Sequence, residues 1–180
     1  MEPTATLLLA HLIADFPLQT DLVYRMKNKS VIGLGLHAVV HVAVTILLVR
    51  NALVFWPYWF VLFLAHFLTD WVKLRWKASR QAVGFVLDQI AHLVMIAGLG
   101  MVMPQIESIL PDVLLYPAVL YAWIPAILMF CWISALDRGN AGVSSRTSWM
   151  QNRLLHFSQV AGYPLIIGTF AAVFYHFPTF

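Results

Sequence analysis

Charged residues and cysteine are both scarce in this chain. Asp, Glu, Lys and Arg make up 11% of its 180 residues, whereas soluble domains carry roughly 25%. A surface with so few charges cannot face water, which excludes a soluble enzyme, a disordered chain and a nucleic-acid-binding module. The single cysteine, Cys131, excludes a disulfide within the chain and a cysteine-based metal cluster.

Apolar residues are abundant instead, at 61% of the chain with a mean hydropathy of +0.80. Because a bilayer core of ~30 Å needs about 20 apolar residues per helix, we predict an all-α polytopic membrane protein with six transmembrane helices. The predicted spans are 4–22, 33–50, 56–73, 82–103, 116–136 and 156–177. They form one transmembrane domain, 1–180, with a core at 1–103, two additional helices at 104–180 and a cytoplasmic loop at 137–155.

The basic residues predict the orientation of these helices. Ten of the eleven Lys and Arg residues fall on one side of the predicted membrane. Arg50 alone falls on the other side, together with Glu2, Glu107 and Asp112. Basic loops face the cytoplasm in most membrane proteins. We therefore expect a multi-pass protein of a bacterial inner membrane with both termini outside, in the periplasm of a Gram-negative host.

Eight ionisable residues interrupt the first four predicted spans. An Asp at the centre of a membrane helix costs about 2.5–3.5 kcal/mol, yet each of the eight has a partner four residues away, on the same face of its helix. All four pairs fall at a similar depth, in the cytoplasmic third of the bilayer. The pairs are His11 with Asp15, His37 with His41, His66 with Asp70, and Asp88 with His92.

The first four spans also contain an internal repeat. Residues 7–16 read LLLAHLIADF and residues 62–71 read LFLAHFLTDW, with five of ten positions identical. The two pairs on the other helices recur at a similar offset. Each unit is an inward helix followed by an outward helix, so the repeats are parallel. We expect two parallel-repeat helix pairs around a pseudo-two-fold axis, with the four pairs facing it.

Five His and three Asp residues that converge in low dielectric form a nitrogen and oxygen ligand set for a divalent transition metal. Zinc is the first expectation, with manganese or iron as alternatives, and the count fits one or two ions. A proton or ion relay without a stable metal, and a structural polar core, remain open as alternatives.

Three polar residues extend this predicted site towards the cytoplasm. Gln19 follows Asp15 by four residues, Lys73 follows Asp70 by three, and Lys27 follows the first span at headgroup level. They are candidates for binding the anionic headgroup of a substrate. The alternative is that the two lysines snorkel to the interface.

The pattern His11-Leu-Ile-Ala-Asp15-Phe-Pro-Leu-Gln19, the nearby Lys27 and His37-x-x-x-His41 resemble a bacterial membrane family known as domain of unknown function 3307. The resemblance covers mainly the first four helices, up to about His92. More distantly, the pattern is similar to inner-membrane proteins predicted to be metal-dependent hydrolases. The resemblance implies that the eight His and Asp residues bind metal, and it implies no settled activity.

These observations favour a metal-dependent hydrolase that acts on a lipid ester or a phosphate-bearing lipid from the cytoplasmic leaflet. The metal would lower the pKa of a water molecule to about 7, and Asp15 or Asp70 would act as general base. The expected partner is membrane lipid, with a homo-oligomer or a membrane complex as further candidates. The alternative functions are a transporter or relay for protons or a divalent metal, and an accessory subunit held together by a polar core.

Overall fold

The computed structural model describes residues 2–76, 80–103, 105–139 and 145–176, and within these residues the chain forms seven α-helices. The predicted all-α class is confirmed. A short 3-10 turn at Ala52–Phe55 precedes the fourth helix. The helices are α1 (Glu2–Asp15), α2 (Asp21–Lys29), α3 (Val31–Leu48), α4 (Trp56–Arg75), α5 (Gln81–Val102), α6 (Asp112–Gly139) and α7 (Ser145–His176).

Four helical segments are long and apolar enough to cross a membrane. Between 22% and 44% of each apolar window is buried inside the protein, so these helices expose large apolar side chains such as Leu68, Val94 and Leu120. Apolar surface of this extent is not tolerated in water, and the chain is a multi-pass membrane protein. The segments are Val31–Leu48, Ala52–Arg75, Gln81–Val102 and Asp112–Arg138.

The prediction of a continuous first span over 4–22 is wrong. α1 ends at Asp15, because a proline at position 17 disfavours helical geometry in the residue before it. Gln19 therefore lies in the connection to α2, and not on a polar stripe of the first helix. At ~1.5 Å per residue, the 14 residues of α1 extend only about 21 Å.

The last predicted segments also differ in extent. α6 begins and ends outside the predicted 116–136, and α7 begins at Ser145, well before the predicted 156. The predicted loop at 137–155 is therefore largely helical, and its residues 140–144 lie outside the described ranges. α7 is not among the four candidate spans. The six-span count and the parallel repeat stay predictions.

α1 lies at the centre of the helix assembly. It packs against α3, α5 and α6, and ten of its fourteen residues are buried. Thr4 of α1 lies so close to Gly100 of α5 that a Cβ at position 100 would overlap the threonine side chain. This close approach is what lets α1 present His11 and Asp15 to the surrounding helices.

Polar contacts join the ends of the helices. At one end, the Glu2 carboxylate accepts a hydrogen bond from the Ser108 backbone N–H at 2.8 Å, and the Arg50 backbone N–H donates to the Glu107 carbonyl at 2.9 Å. These contacts place Glu2, Arg50 and Glu107 at the same end of the helix assembly, and the side of the membrane on which they lie stays a prediction. Elsewhere, the Asp137 carboxylate accepts from the first two N–H groups of α5, at 3.1 and 2.8 Å, and so caps that helix.

Candidate metal centre

The four helices α1, α3, α4 and α5 bring the His and Asp pairs together in one buried cluster. Each residue of the cluster is between 0% and 6% exposed. Spacing of four residues keeps both members of a pair on one helix face, and these faces meet inside the helix assembly. The cluster consists of His11, Asp15, His37, His41, His66, Asp70, Asp88 and His92.

Asp15 is the most highly connected residue of the cluster. Its Oδ1 atom accepts hydrogen bonds from the Nε2 atoms of His37 at 3.1 Å and of His41 at 3.0 Å. Its Oδ2 atom lies 3.6 Å from His11 Nε2 and accepts from the Gln89 amide at 3.2 Å. The two carboxylate oxygens of Asp15 therefore face different sets of histidines.

Three sets of donor atoms are compact enough to hold a metal ion. Within each set the ligand atoms all lie within 4.8 Å of one another. In a tetrahedral zinc site, bonds of ~2.0–2.1 Å place neighbouring ligand atoms about 3.3 Å apart, close to the separations around Asp15. The sets are Asp15, His37, His41 and His66; His11, Asp15 and His92; and His66, Asp70 and His92.

His92 shows how the protein environment prepares a ligand. Its Nδ1 atom lies 2.9 Å from the Asp88 carbonyl oxygen, which can only accept, so Nδ1 carries the proton. In the neutral ring, Nε2 then keeps its lone pair. Nε2 is buried and has no hydrogen-bond partner, which is rare for a buried polar atom. A cation bound beside it would satisfy this lone pair. His66 Nε2, in the four-donor set, is likewise buried without a hydrogen-bond partner, so the donors present fit a metal ion.

Lys27 is buried inside the cluster and does not extend to the protein surface. It is 6% exposed, and its ammonium group is 2.8 Å from Asp70 Oδ2 and 3.5 Å from Gln19 Oε1. Burial by itself lowers the pKa of this ammonium group, but the nearby Asp70, Asp15 and Asp88 carboxylates raise it above its usual value. Lys27 is therefore a buried, charged partner of Asp70.

Lys73 pairs with Asp88 at the edge of the cluster. Its ammonium group donates to Asp88 Oδ2 at 2.5 Å, and a third of its side chain is exposed. Of the eight predicted ligands, Asp88 alone belongs to none of the three compact donor sets found in the described residues. Asp88 thus joins the partly exposed Lys73 to the buried histidines.

Gln89 is a site residue that the sequence pattern did not identify. A helix rotates by about 100° per residue, so Gln89 does not share a face of α5 with its neighbour Asp88. Its amide nitrogen nevertheless donates to Asp15 Oδ2 at 3.2 Å and to Asp88 Oδ2 at 3.4 Å, and its Oε1 atom lies 3.5 Å from His11 Nε2. Its side chain is not ionisable, so it did not belong to the pattern of paired His and Asp residues.

One known protein family matches most of the chain that forms this architecture. A family model, described as protein of unknown function (DUF3307), matches residues 4–114, which include α1 to α5 and all eight clustered residues. No curated protein and no solved structure matches the chain. The more distant similarity to metal-dependent hydrolases therefore rests on the sequence pattern alone. With its match extending over more than half of its length, the chain belongs to the DUF3307 family.

Proposed function

We propose that this protein is a membrane-embedded, metal-dependent hydrolase whose ion is held by Asp15, His37, His41 and His66. The observation that carries the proposal is the convergence of these four donor groups, from three different helices, in a fully enclosed cluster. Such a convergence of costly polar groups inside a membrane protein is typical of a functional site. Zinc suits this nitrogen and oxygen set, with manganese and iron as alternatives.

The charges of the cluster favour one divalent ion over two. With neutral imidazoles, the carboxylates of Asp15, Asp70 and Asp88 face the ammonium groups of Lys27 and Lys73, which leaves a net charge of −1. One divalent ion changes this to +1, whereas two would leave +3 in a region of low dielectric. An uncompensated buried charge is costly.

The residues beside the four-ligand set supply a general base and the cation that holds it in place. When bound, the metal would polarise the scissile group and activate water. Asp70 lies beside the four-ligand set, 3.4 Å from His66 Nε2 and 3.5 Å from His37 Nε2, and we assign it as the general base. Asp15 is then a ligand and not the base. Lys27 holds the Asp70 carboxylate in place through their ion pair.

The proposed substrate is a lipid or a phosphate-bearing lipid of the cytoplasmic leaflet. The support is the concentration of ten of eleven basic residues on one predicted side, which orients the chain in a bacterial inner membrane with its termini outside. Membrane lipid is accordingly the proposed partner. A homo-oligomer or a complex partner stays a hypothesis.

A relay or transporter for protons or a divalent metal is the second candidate function. It is favoured by a polar chain that runs from the half-buried Lys73 through Asp88 and Gln89 to Asp15. Against it, the N-terminal half of α1, which precedes His11, meets mainly apolar neighbours, and its Leu7 and Leu9 side chains are buried. A transporter needs a route across both halves of the membrane.

Purification in a mild detergent with zinc, followed by elemental mass spectrometry, tests the proposed site. About one ion per chain is expected, and His66→Ala should lose it. His156→Ala is the matched control, because His156 is exposed and lies outside the cluster. A metal-free wild-type protein would refute the metal site and leave the proton relay and the structural polar core.

Activity separates the two metal-dependent functions. The loaded protein should hydrolyse phospholipids in mixed micelles, and Asp70→Asn should abolish turnover while the ion stays bound. Metal uptake into protein-containing vesicles without hydrolysis would instead establish transport.

A further inference from the structure

A groove between α4 and α5 leads from the lipid-facing surface to the edge of the cluster. It has a volume of about 400 Å³. Its walls include Leu68, Val72 and Leu87, whose side chains are 52%, 56% and 41% exposed. The groove therefore opens between exposed apolar side chains, on a face of the helix assembly that a bilayer would cover.

Lys73 and Asp88 supply the charged lining of this groove. A third of the Lys73 side chain is exposed, whereas the Asp88 side chain is only 2% exposed, so Lys73 is the more accessible of the two charged residues. An ammonium group has three donors, and Asp88 uses one of them. The groove thus joins an apolar wall to a cationic end.

We propose that the α4–α5 groove is the substrate site and that its occupant is an anionic phospholipid. Its phosphate would lie on Lys73 and an acyl chain along Leu68, Val72 and Leu87. The assignment rests on the proposed function, whose substrate class it makes specific. Lys27, by contrast, is enclosed and engaged by Asp70, so of these two lysines Lys73 is the one able to receive a headgroup.

The groove also provides the connection to the metal centre. Asp88 accepts hydrogen bonds from both Lys73 and Gln89, and Gln89 donates in turn to Asp15. A phosphate on Lys73 would therefore stand one side chain away from a residue that orients His92. Sideways entry would bring the lipid headgroup to the edge of the cluster, where Asp88 and Gln89 connect Lys73 to Asp15.

A fluorescent probe in the groove measures this binding directly. Cys131→Ser removes the only cysteine, and Ala91→Cys then provides a thiol in the groove lining for an environment-sensitive dye. Short-chain phosphatidylglycerol and phosphatidylcholine are titrated into the protein in neutral detergent. We expect phosphatidylglycerol to shift the fluorescence at a concentration about fivefold lower than phosphatidylcholine does. This ratio corresponds to the interaction of one partly exposed charge pair. A dye at Gly98→Cys, on an open part of α5, should show no such difference.

Variants attribute the preference to Lys73. Lys73→Gln should remove the difference between the two lipids, Lys73→Arg should keep it, and Lys29→Gln, which alters an exposed cation on α2, should leave it unchanged. Equal responses to both lipids in the wild-type background, or an unchanged preference in Lys73→Gln, would overturn the assignment. Repeating the titration in His66→Ala separates the two proposals, because groove binding should persist when the metal is lost.

Discussion

The Lys27 ammonium group lies 2.8 Å from Asp70 Oδ2, and both side chains are buried. Lys27 belongs to α2, a short helix between α1 and α3 that is not among the candidate spans, whereas Asp70 lies in the span formed by α4. A connecting helix therefore contributes a charge to a site built by the surrounding helices. The first prediction follows from this contact.

Lys27→Met should destabilise the protein by several kcal/mol, because removal of one partner leaves the Asp70 carboxylate buried and unpaired. Thermal unfolding in detergent measures the effect, and Lys29→Met, an exposed position on the same helix, is the control. The double variant Lys27→Met with Asp70→Asn should recover much of the loss. An unfolding temperature of Lys27→Met equal to that of the wild type would contradict the ion pair.

Gly33→Ala should displace α2 and weaken the same ion pair. A Cβ at position 33 would overlap the Met26 carbonyl and approach the Lys27 backbone nitrogen to 2.9 Å. Gly35 lies on α3, as Gly33 does, but a Cβ at position 35 meets no neighbour within 4 Å. Gly35→Ala should therefore stabilise α3 by up to about 1 kcal/mol. Opposite signs of the two shifts in unfolding temperature are expected, and a stabilised Gly33→Ala would show that α2 does not pack as described.

Gln89→Leu should weaken metal binding while leaving the fold intact. The substitution removes the hydrogen bonds that hold Asp15 Oδ2 and Asp88 Oδ2, and loss of such a supporting contact typically costs ~10–100-fold in metal affinity. Competition with a chelating dye measures the dissociation constant. Gln81→Leu, at an exposed position on the same helix, is the control and should bind metal as the wild type does. Equal metal affinities of the two variants would show that Gln89 does not support the metal site.

Metal binding should also stabilise the folded protein. An ion that binds only the folded state adds about 2.7 kcal/mol when its free concentration is 100 times its dissociation constant. Added zinc should therefore raise the unfolding temperature of the wild type, and a chelator should reverse the increase. His41→Ala should unfold at the same temperature with and without zinc; a zinc-dependent increase in this variant would place the ion elsewhere.

The regular spacing of the pairs explains why the cluster could be predicted before its structure was known. Charges inside a membrane helix are costly enough that paired His and Asp residues stand out, and helical geometry then fixes which of them share a face. The break after Asp15 was missed because an apolar run continues through Pro17 and Leu18. The burial of Lys27 was missed for a different reason, since it depends on how α2 folds back against α3.

α1 is made before any of the helices that enclose it, and this order constrains how the protein is assembled. At about 21 Å it is shorter than a bilayer core of ~30 Å, and it carries His11 and Asp15 without their partners until α3, α4 and α5 have followed. Transfer of such a short segment with two polar residues from the translocon into lipid is energetically unfavourable when no other helix accompanies it. We therefore expect the integration of α1 to depend on the helices that follow it, because Asp15 finds its hydrogen-bond partners on α3 and α5.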